Sequence, residues 1–314
     1  MRSVLSESRS QKNSPRILCA GGAVQDIVMR VDKFPDAGTK VQASEFLITS
    51  GGQAGNAAVA IARLGGRVNF AGPLGAQDDE FAGRILGSLT RENVDCSHAI
   101  RVPGAVSSVS LILIDAVGEK TIATRRDRGL TSVVSERPEQ AVAEVDAVLL
   151  DNRYPDFVTP ICNAALARGI PRVLDLDRAA SLDDPLLMSC SHVISSAEAL
   201  RGTTGLNDLR AALKKLGEAF DGFLAYTDGP DGVYWLEKGE VRHMEAFKVK
   251  AIDTLGAGDV FHGAFTFRLV ETGDIRDAMR FAGAAAAIKC TRFGGLMGAA
   301  TRAEVDEFLK RHPA

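Results

Sequence analysis

Residues 248–265 read Lys-Val-Lys-Ala-Ile-Asp-Thr-Leu-Gly-Ala-Gly-Asp-Val-Phe-His-Gly-Ala-Phe, and the rest of the chain is organised around them. A short apolar approach (Val249, Ala251, Ile252) runs into Asp253 and Thr254, then into Gly256-Ala257-Gly258-Asp259. Val260, Phe261, Ala264 and Phe265 recur behind it at helical spacing, which predicts a buried helix opening at Asp259. The two glycines let the backbone turn sharply and come close to a ligand. The first N–H groups of a helix have no partner inside it, and the helix dipole adds partial positive charge there. Such a place suits a phosphate, or charge developing on one. A carboxylate at that end opposes anion binding unless it takes a proton from an incoming hydroxyl. The combination describes phosphoryl transfer: the N–H groups of Ala257, Gly258 and Asp259 cradle charge, and Asp259 is the base. The plainer alternative is a strand-to-helix turn in which Asp259 only caps the helix. The stretch does not match G-x-x-x-x-G-K-[ST], so it is not a P-loop.

Composition sets limits on the rest. The chain has 314 residues, 46% of them hydrophobic and 25% charged, which is ordinary for a globular α/β protein. A net charge of −3 gives no electrostatic reason to bind nucleic acid. Five dispersed cysteines, without a C-x-x-C pair, read as reduced thiols of a cytoplasmic protein. No apolar run approaches the ~20 residues that span a membrane. Residues 1–15 are polar and are expected to form a disordered tail, with one folded domain over 16–314.

Along the chain, residues 16–24 read as a buried first strand, placing Asp26 just beyond its C-terminal end. A carboxylate there can accept hydrogen bonds from sugar hydroxyls. Residues 28–50 and 106–124 alternate like strands but carry too little apolar surface for a core layer. They are expected to pair as a small sheet over the site. Between them, Gly51-Gly52-Gln53-Ala54-Gly55-Asn56 feeds an Ala-rich helix that stops at Gly65. Gln53 and Asn56 could grip vicinal hydroxyls there, or Asn56 could simply cap the helix. From residue 145 to 270, strand and helix signals alternate, with one helix expected over 197–219 and closing helices over 274–289 and 302–311. Repeated βαβ units argue a parallel sheet with helices on both faces. Arg153, Asp175, Asp177, Glu198 and the turn Thr227–Gly232 all fall at strand ends on one sheet edge.

These motifs, in this order from Ile17 to Leu309, resemble the ribokinase-like (phosphofructokinase-B) sugar kinases, whose signature is D-T-x-G-A-G-D-x-F. The resemblance implies a ribokinase-like fold: a mostly parallel central sheet plus a small β-sheet lid, which in relatives often mediates dimerisation. It implies an ATP-dependent carbohydrate kinase in which Asp26, Gly51, Gly52 and Asn56 bind the sugar. Glu198 would serve Mg²⁺, and Thr227, Gly229 and Gly232 the nucleotide. Gly256, Ala257 and Gly258 would form the anion hole, with Asp259 as base. A monovalent cation (K⁺) would sit near Asp253 and carbonyls around Cys290–Gly295. The family's N-x-x-E reads Ser195-Ser196-Ala197-Glu198 here, so its Asn is replaced. Arg153 and the His262 context are similar to the ketohexokinase and sulfofructose kinase branch. The expected substrate is accordingly a ketose, a sulfoketose or ribose, with Arg153 on an anionic group and His262 a packing residue. A nucleoside kinase of the adenosine type is the rival, but one Trp and three Tyr offer few rings to stack a base. An inactive sugar-binding protein of the same fold is the other.

Overall fold

A computed structural model describes residues 14–313. In chain order, β1 (Arg16–Ala20), β2 (Val24–Arg30) and β3 (Glu45–Gly51) lead into α1 (Gln53–Arg63). Next come β4 (Arg67–Ala71), β5 (Pro73–Leu74), α2 (Glu80–Arg91), β6 (Val94–Asp95) and β7 (Ile100–Arg101). β8 (Val109–Ile114), β9 (Lys120–Arg125) and the short α3 (Pro138–Val142) follow. Strand and helix then alternate through β10 (Ala147–Asp151), α4 (Pro155–Ala167), β11 (Arg172–Leu176), α5 (Pro185–Ser189) and β12 (His192–Ser196). After α6 (Ala197–Thr204), α7 (Leu209–Ala219) and β13 (Phe223–Thr227) comes the hairpin of β14 (Val233–Glu237) and β15 (Glu240–Met244). Three helices close the chain: α8 (Ala257–Thr272), α9 (Ile275–Cys290) and α10 (Arg302–Arg311).

The central sheet has nine strands in the order β15-β14-β13-β12-β11-β10-β1-β4-β6. Every pair from β13 to β6 is parallel, and β14 and β15 join antiparallel at one edge. Both faces of the parallel strands are covered, which is why they read as unbroken apolar runs. Side chains alternate between two cores: Ile17 and Cys19 pack toward α1, α8 and α9, whereas Leu18 and Ala20 pack toward α4, α6 and α7. A separate four-stranded sheet, β3-β2-β8-β9, stands beside this body. Its inner face rests through Val28, Ile112 and Ile114 on Leu255, next to the glycine turn.

Four details differ from the sequence expectation. The apolar run 16–24 is interrupted at residues 21–23, and Val24 already belongs to the small sheet. Asp26 therefore lies within β2, opposite Thr49 and Ser110, rather than beyond the end of a core strand. The helix over 197–219 is two helices, because Gly205 ends α6 at φ 72° and the Asp208 side chain caps α7. Asn56 is no cap: helix α1 opens at Gly52, and Asn56 lies inside it. Of the expected tail, residues 1–13 lie outside the described residues, while the Pro15 carbonyl accepts from the Arg67 N–H at 2.8 Å.

Candidate active site

The site lies where the C-terminal ends of the parallel strands meet the small sheet and the N-termini of α1 and α8. Gly52 opens α1 at φ 85°, and a Cβ there would stand 2.6 Å from the Gly22 carbonyl oxygen. Only glycine lets the two loops approach this closely. The Ala-rich face of α1 then packs on α8, where a Cβ at Gly263 would come within 2.7 Å of the Ala57 carbonyl oxygen. Small residues thus set the helix spacing, and the spacing brings Asn56 to Asp259. Asn56 Nδ2 donates to Asp259 Oδ2 at 2.6 Å, across 203 residues of sequence.

Asp259 is the third residue of α8, behind Gly256 in the left-handed region at φ 75°. The Ala257 N–H is taken by the Thr254 carbonyl at 3.2 Å. The space beside the Gly258 Cα is open, with no atom within 4 Å of where a Cβ would be. Burial raises the Asp259 pKa, Asn56 and His262 oppose the rise, and the Asp177 charge adds to it. Asp26 faces the same space from β2. Burial pushes it to about 7, helped by the Asp259 charge and opposed by a hydrogen bond from Ser110. Gly51 has no room for a side chain, since a Cβ would overlap the Asp26 carboxylate.

Two buried polar atoms among the described residues have no hydrogen-bond partner: Asn56 Oδ1 and Gln53 Nε2. Native interiors rarely leave such atoms unpaired, so an acceptor and a donor here call for a polar ligand. Gln53 is held by its other end, because Arg153 Nε donates to its Oε1 at 2.8 Å. Arg153 also pairs with Asp177 and donates its backbone N–H to Asp151 Oδ1 at 2.9 Å. Arg153, which follows β10, thus sits between a carboxylate and an amide of the site.

Sequence reasoning passed over Asp151 and Lys120, and read His262 as a packing residue. Asp151, fully enclosed at the end of β10, accepts from the N–H groups of Gly22 at 2.7 Å and Ala54 at 3.2 Å, knitting the loops together. His262 places Nδ1 at 2.7 Å from the Gly258 carbonyl and Nε2 at 3.2 Å from that of Ile194, with Asp175 Oδ1 at 3.5 Å. It fastens α8 to β12 and β11, and burial lowers its pKa. Lys120 reaches from β9 to Thr254 Oγ1 at 3.4 Å and helps hold the Asp259 pKa down. Neither Asp151 nor Lys120 carries a motif in the sequence; each is legible only from packing.

The remaining expected residues are more dispersed. Glu198 is exposed in the first turn of α6. Ser195 turns its hydroxyl inward to the carbonyls of Leu176 and Ser196, at 3.2 and 2.8 Å. Thr227 ends β13, and Gly229 and Gly232 shape the turn into β14. Asp253 is wholly buried and faces Lys289 rather than the cleft. No cluster of three or more His, Cys, Asp or Glu side chains that could hold a metal occurs among the described residues.

Comparison with known proteins decides the family. A model described as "pfkB family carbohydrate kinase" matches residues 14–301. The chain belongs to the pfkB family of carbohydrate kinases. Among pfkB-family relatives, the ribokinase of Haemophilus influenzae is 30% identical over 298 residues, covering 92% of this chain and 97% of that one. The ribokinase of Bacillus subtilis is 29% identical over 301 residues, covering 94% and 99%. A solved structure from Agrobacterium tumefaciens superposes with a TM-score of 0.91 at 36% identity, covering 96% of this chain and 99% of that one. The structure of Arabidopsis thaliana ribokinase complexed with ribose and ATP has a TM-score of 0.81 at 22% identity, covering 95% and 99%, and shares the fold. The protein is thus an ATP-dependent sugar kinase with the ribokinase-like fold. No described helix is long and apolar enough to cross a membrane.

Proposed function

We propose that this kinase transfers the γ-phosphoryl group of ATP to a hydroxyl of a small sugar, with Asp259 as general base and ribose as the leading substrate. The observation that carries the reading is the unpartnered pair Asn56 Oδ1 and Gln53 Nε2 beside the Asp26 and Asp259 carboxylates. An acceptor, a donor and two carboxylates in one recess suit a molecule with several adjacent hydroxyls. Burial raises the pKa of Asp259, which makes it a stronger proton acceptor than an exposed carboxylate. Developing phosphoryl charge would meet the N–H groups of Gly258 and Asp259; that of Ala257 already has a partner in Thr254.

The recess is acidic: beyond the effect of burial, the Asp259 charge raises the pKa values of Asp26 and Asp175, and the Asp177 charge raises those of Asp175 and Asp259. ATP therefore needs compensating positive charge. Glu198, exposed and without a protein partner among the described residues, would hold a hydrated Mg²⁺, an ion that keeps most of its waters. When bound, Mg²⁺ supplies charge neutralisation on the phosphates. The turn Thr227–Gly232 is the candidate for the adenosine end of the nucleotide. The small sheet is the candidate lid, with Lys120 reaching past Thr254 toward the phosphate position. Its outer face carries Phe46, Ile48 and Leu111, each at least 43% exposed. A second copy of the chain would cover that apolar row, giving a dimer through the lid.

Relatives named ribokinase support ribose. A sulfoketose is the second reading, favoured because the Arg126 guanidinium lies near enough to those of Arg153 and Arg178 for their charges to lower its pKa, after burial. ADP release screened over ribose, fructose, fructose 6-phosphate, sulfofructose and adenosine separates the possibilities. Sugar-dependent release with ribose or a ketose is expected. Release with adenosine alone would make the protein a nucleoside kinase, and none with any compound would leave a binding protein.

A further inference from the structure

Behind the glycine turn, on the side away from the cleft, Lys289 is completely buried in the last turn of α9. Its Nζ donates to the Asp253 carbonyl oxygen at 2.7 Å and lies 3.1 Å from Asp253 Oδ2. Asp253 Oδ2 also accepts from the N–H groups of Gly294 and Gly295, at 2.9 and 3.0 Å, and Oδ1 accepts from that of Leu255 at 2.7 Å. The Cys290 carbonyl in turn accepts from Ile252 and Asp253, at 2.7 and 3.2 Å. Two segments, 252–255 and 289–295, are tied together, and the first leads directly into Gly256–Gly258. These are the segments where the family resemblance implies a monovalent cation. The residues present do not fit one. The Asp253 carbonyl and carboxylate already hold an ammonium, and the carboxylate's remaining capacity goes to three backbone N–H groups. A K⁺ ion drawing on the same oxygens would stand against a like charge in a buried site, which is strongly unfavourable.

We propose that the Lys289 ammonium is a built-in monovalent cation for the phosphoryl-binding loop, so that the enzyme neither binds nor needs K⁺ there. Lys289 is a positioning residue: it touches no substrate and acts through Asp253 on the path of the backbone into the anion hole. An exchangeable ion would stabilise the fold by RT ln(1 + c/Kd), an effect that depends on its concentration c; a tethered ammonium is always present. Burial pulls the lysine's pKa down and Asp253 opposes that pull, so the pair stands or falls together. The inference rests on the reading of Gly256–Gly258 as the phosphoryl-binding loop, but its first test does not require turnover.

The test compares the wild-type protein in KCl, NaCl and tetramethylammonium chloride at equal ionic strength. The melting temperature should be the same in all three, and so should kcat on the best sugar, to within about twofold. A melting temperature that rises with K⁺ concentration but not with the other two salts, or activation by K⁺ of about tenfold or more, would overturn the proposal. Lys289→Ala supplies the converse: it opens a cavity beside an uncompensated carboxylate. The variant should melt lower than wild type and regain stability with rising K⁺ or methylammonium concentration, but not with the bulkier tetramethylammonium. Its turnover should become cation-dependent in the same order. A Lys289→Ala protein with wild-type turnover and melting in tetramethylammonium would also overturn the proposal. If that variant does not fold, the wild-type comparison decides alone. Absence of sugar phosphorylation in every salt would defeat the proposed function instead, and the melting series would still decide this inference.

Discussion

Replacing Asp26 by Asn should make the ligand-free protein more stable and a poorer enzyme. Asp26 is 6% exposed, and burial together with the Asp259 charge brings its pKa to about 7, from an ordinary value of 3.8. In the folded state the carboxyl therefore holds its proton more tightly than in the unfolded state. Below pH ~4 both states carry the proton and the group adds no penalty. As pH rises toward 7 the unfolded chain is stabilised by ionising first, and above 7 the folded protein bears the full penalty of a buried charge. At about 1.4 kcal/mol per pKa unit, three units give an upper limit on the order of 4 kcal/mol. Partial hydration of the open recess reduces that, so about 2–4 kcal/mol is expected at pH 8 and close to none at pH 4. Asn keeps the shape and can still accept from Ser110. Urea unfolding of wild type and Asp26→Asn, followed through the single, buried Trp235, measures the difference at both pH values. A gain of equal size at pH 4 and pH 8 would refute the reasoning, as would a loss at pH 8. Sugar affinity should fall in the same variant, which marks the instability as the consequence of a binding group kept charged in a recess.

Other outcomes follow from the same geometry. Asp259→Asn keeps a carbonyl for Asn56 but cannot take a proton, so kcat should fall by about 10²–10⁴ while ATP and sugar still bind; turnover within a few-fold of wild type, by coupled ADP assay, would reduce Asp259 to a cap. Gly263→Ala forces α8 away from the Ala57 carbonyl and should cost about 1–3 kcal/mol in urea unfolding, with a drop in kcat as Asn56 and Asp259 separate. Arg153→Lys keeps charge but loses the fork that holds Gln53 and Asp177, so kcat/KM should drop clearly on the best sugar, and unchanged kinetics would retire its role. Leu111→Lys on the outer face of the small sheet should convert a dimer to a monomer in sedimentation with little change in melting temperature.

The parts of this molecule that were legible in the sequence are those where one short stretch carries its own physics. The turn at Asp253–Asp259 is such a stretch: glycines, acid and helical apolar spacing fall within a few residues. The alternation in β2, β3, β8 and β9 announced a half-buried sheet for the same reason. What was not legible depends on distant partners. The break at residues 21–23 hides inside an apolar run, because its cause is a carboxylate at Asp151 that takes the Gly22 N–H from 129 positions away. Asn56 could be read as a cap or as a ligand group until α8 was seen to bring Asp259 to it. Lys289 resembles any basic residue closing a helix, where the dipole favours one, and only Asp253 turns it into a buried ion pair.

The bond between Asn56 and Asp259 joins the two ends of the polypeptide in time as well as in space. Helix α1 emerges from the ribosome with its small-residue face uncovered and must wait for α8, some 203 residues later, before it has that partner. Until then the proposed base and the amide that donates to it are on separate, unassembled pieces. An unfinished chain therefore lacks the Asn56–Asp259 pair, and on the proposed mechanism a prematurely terminated product would be unable to activate a hydroxyl.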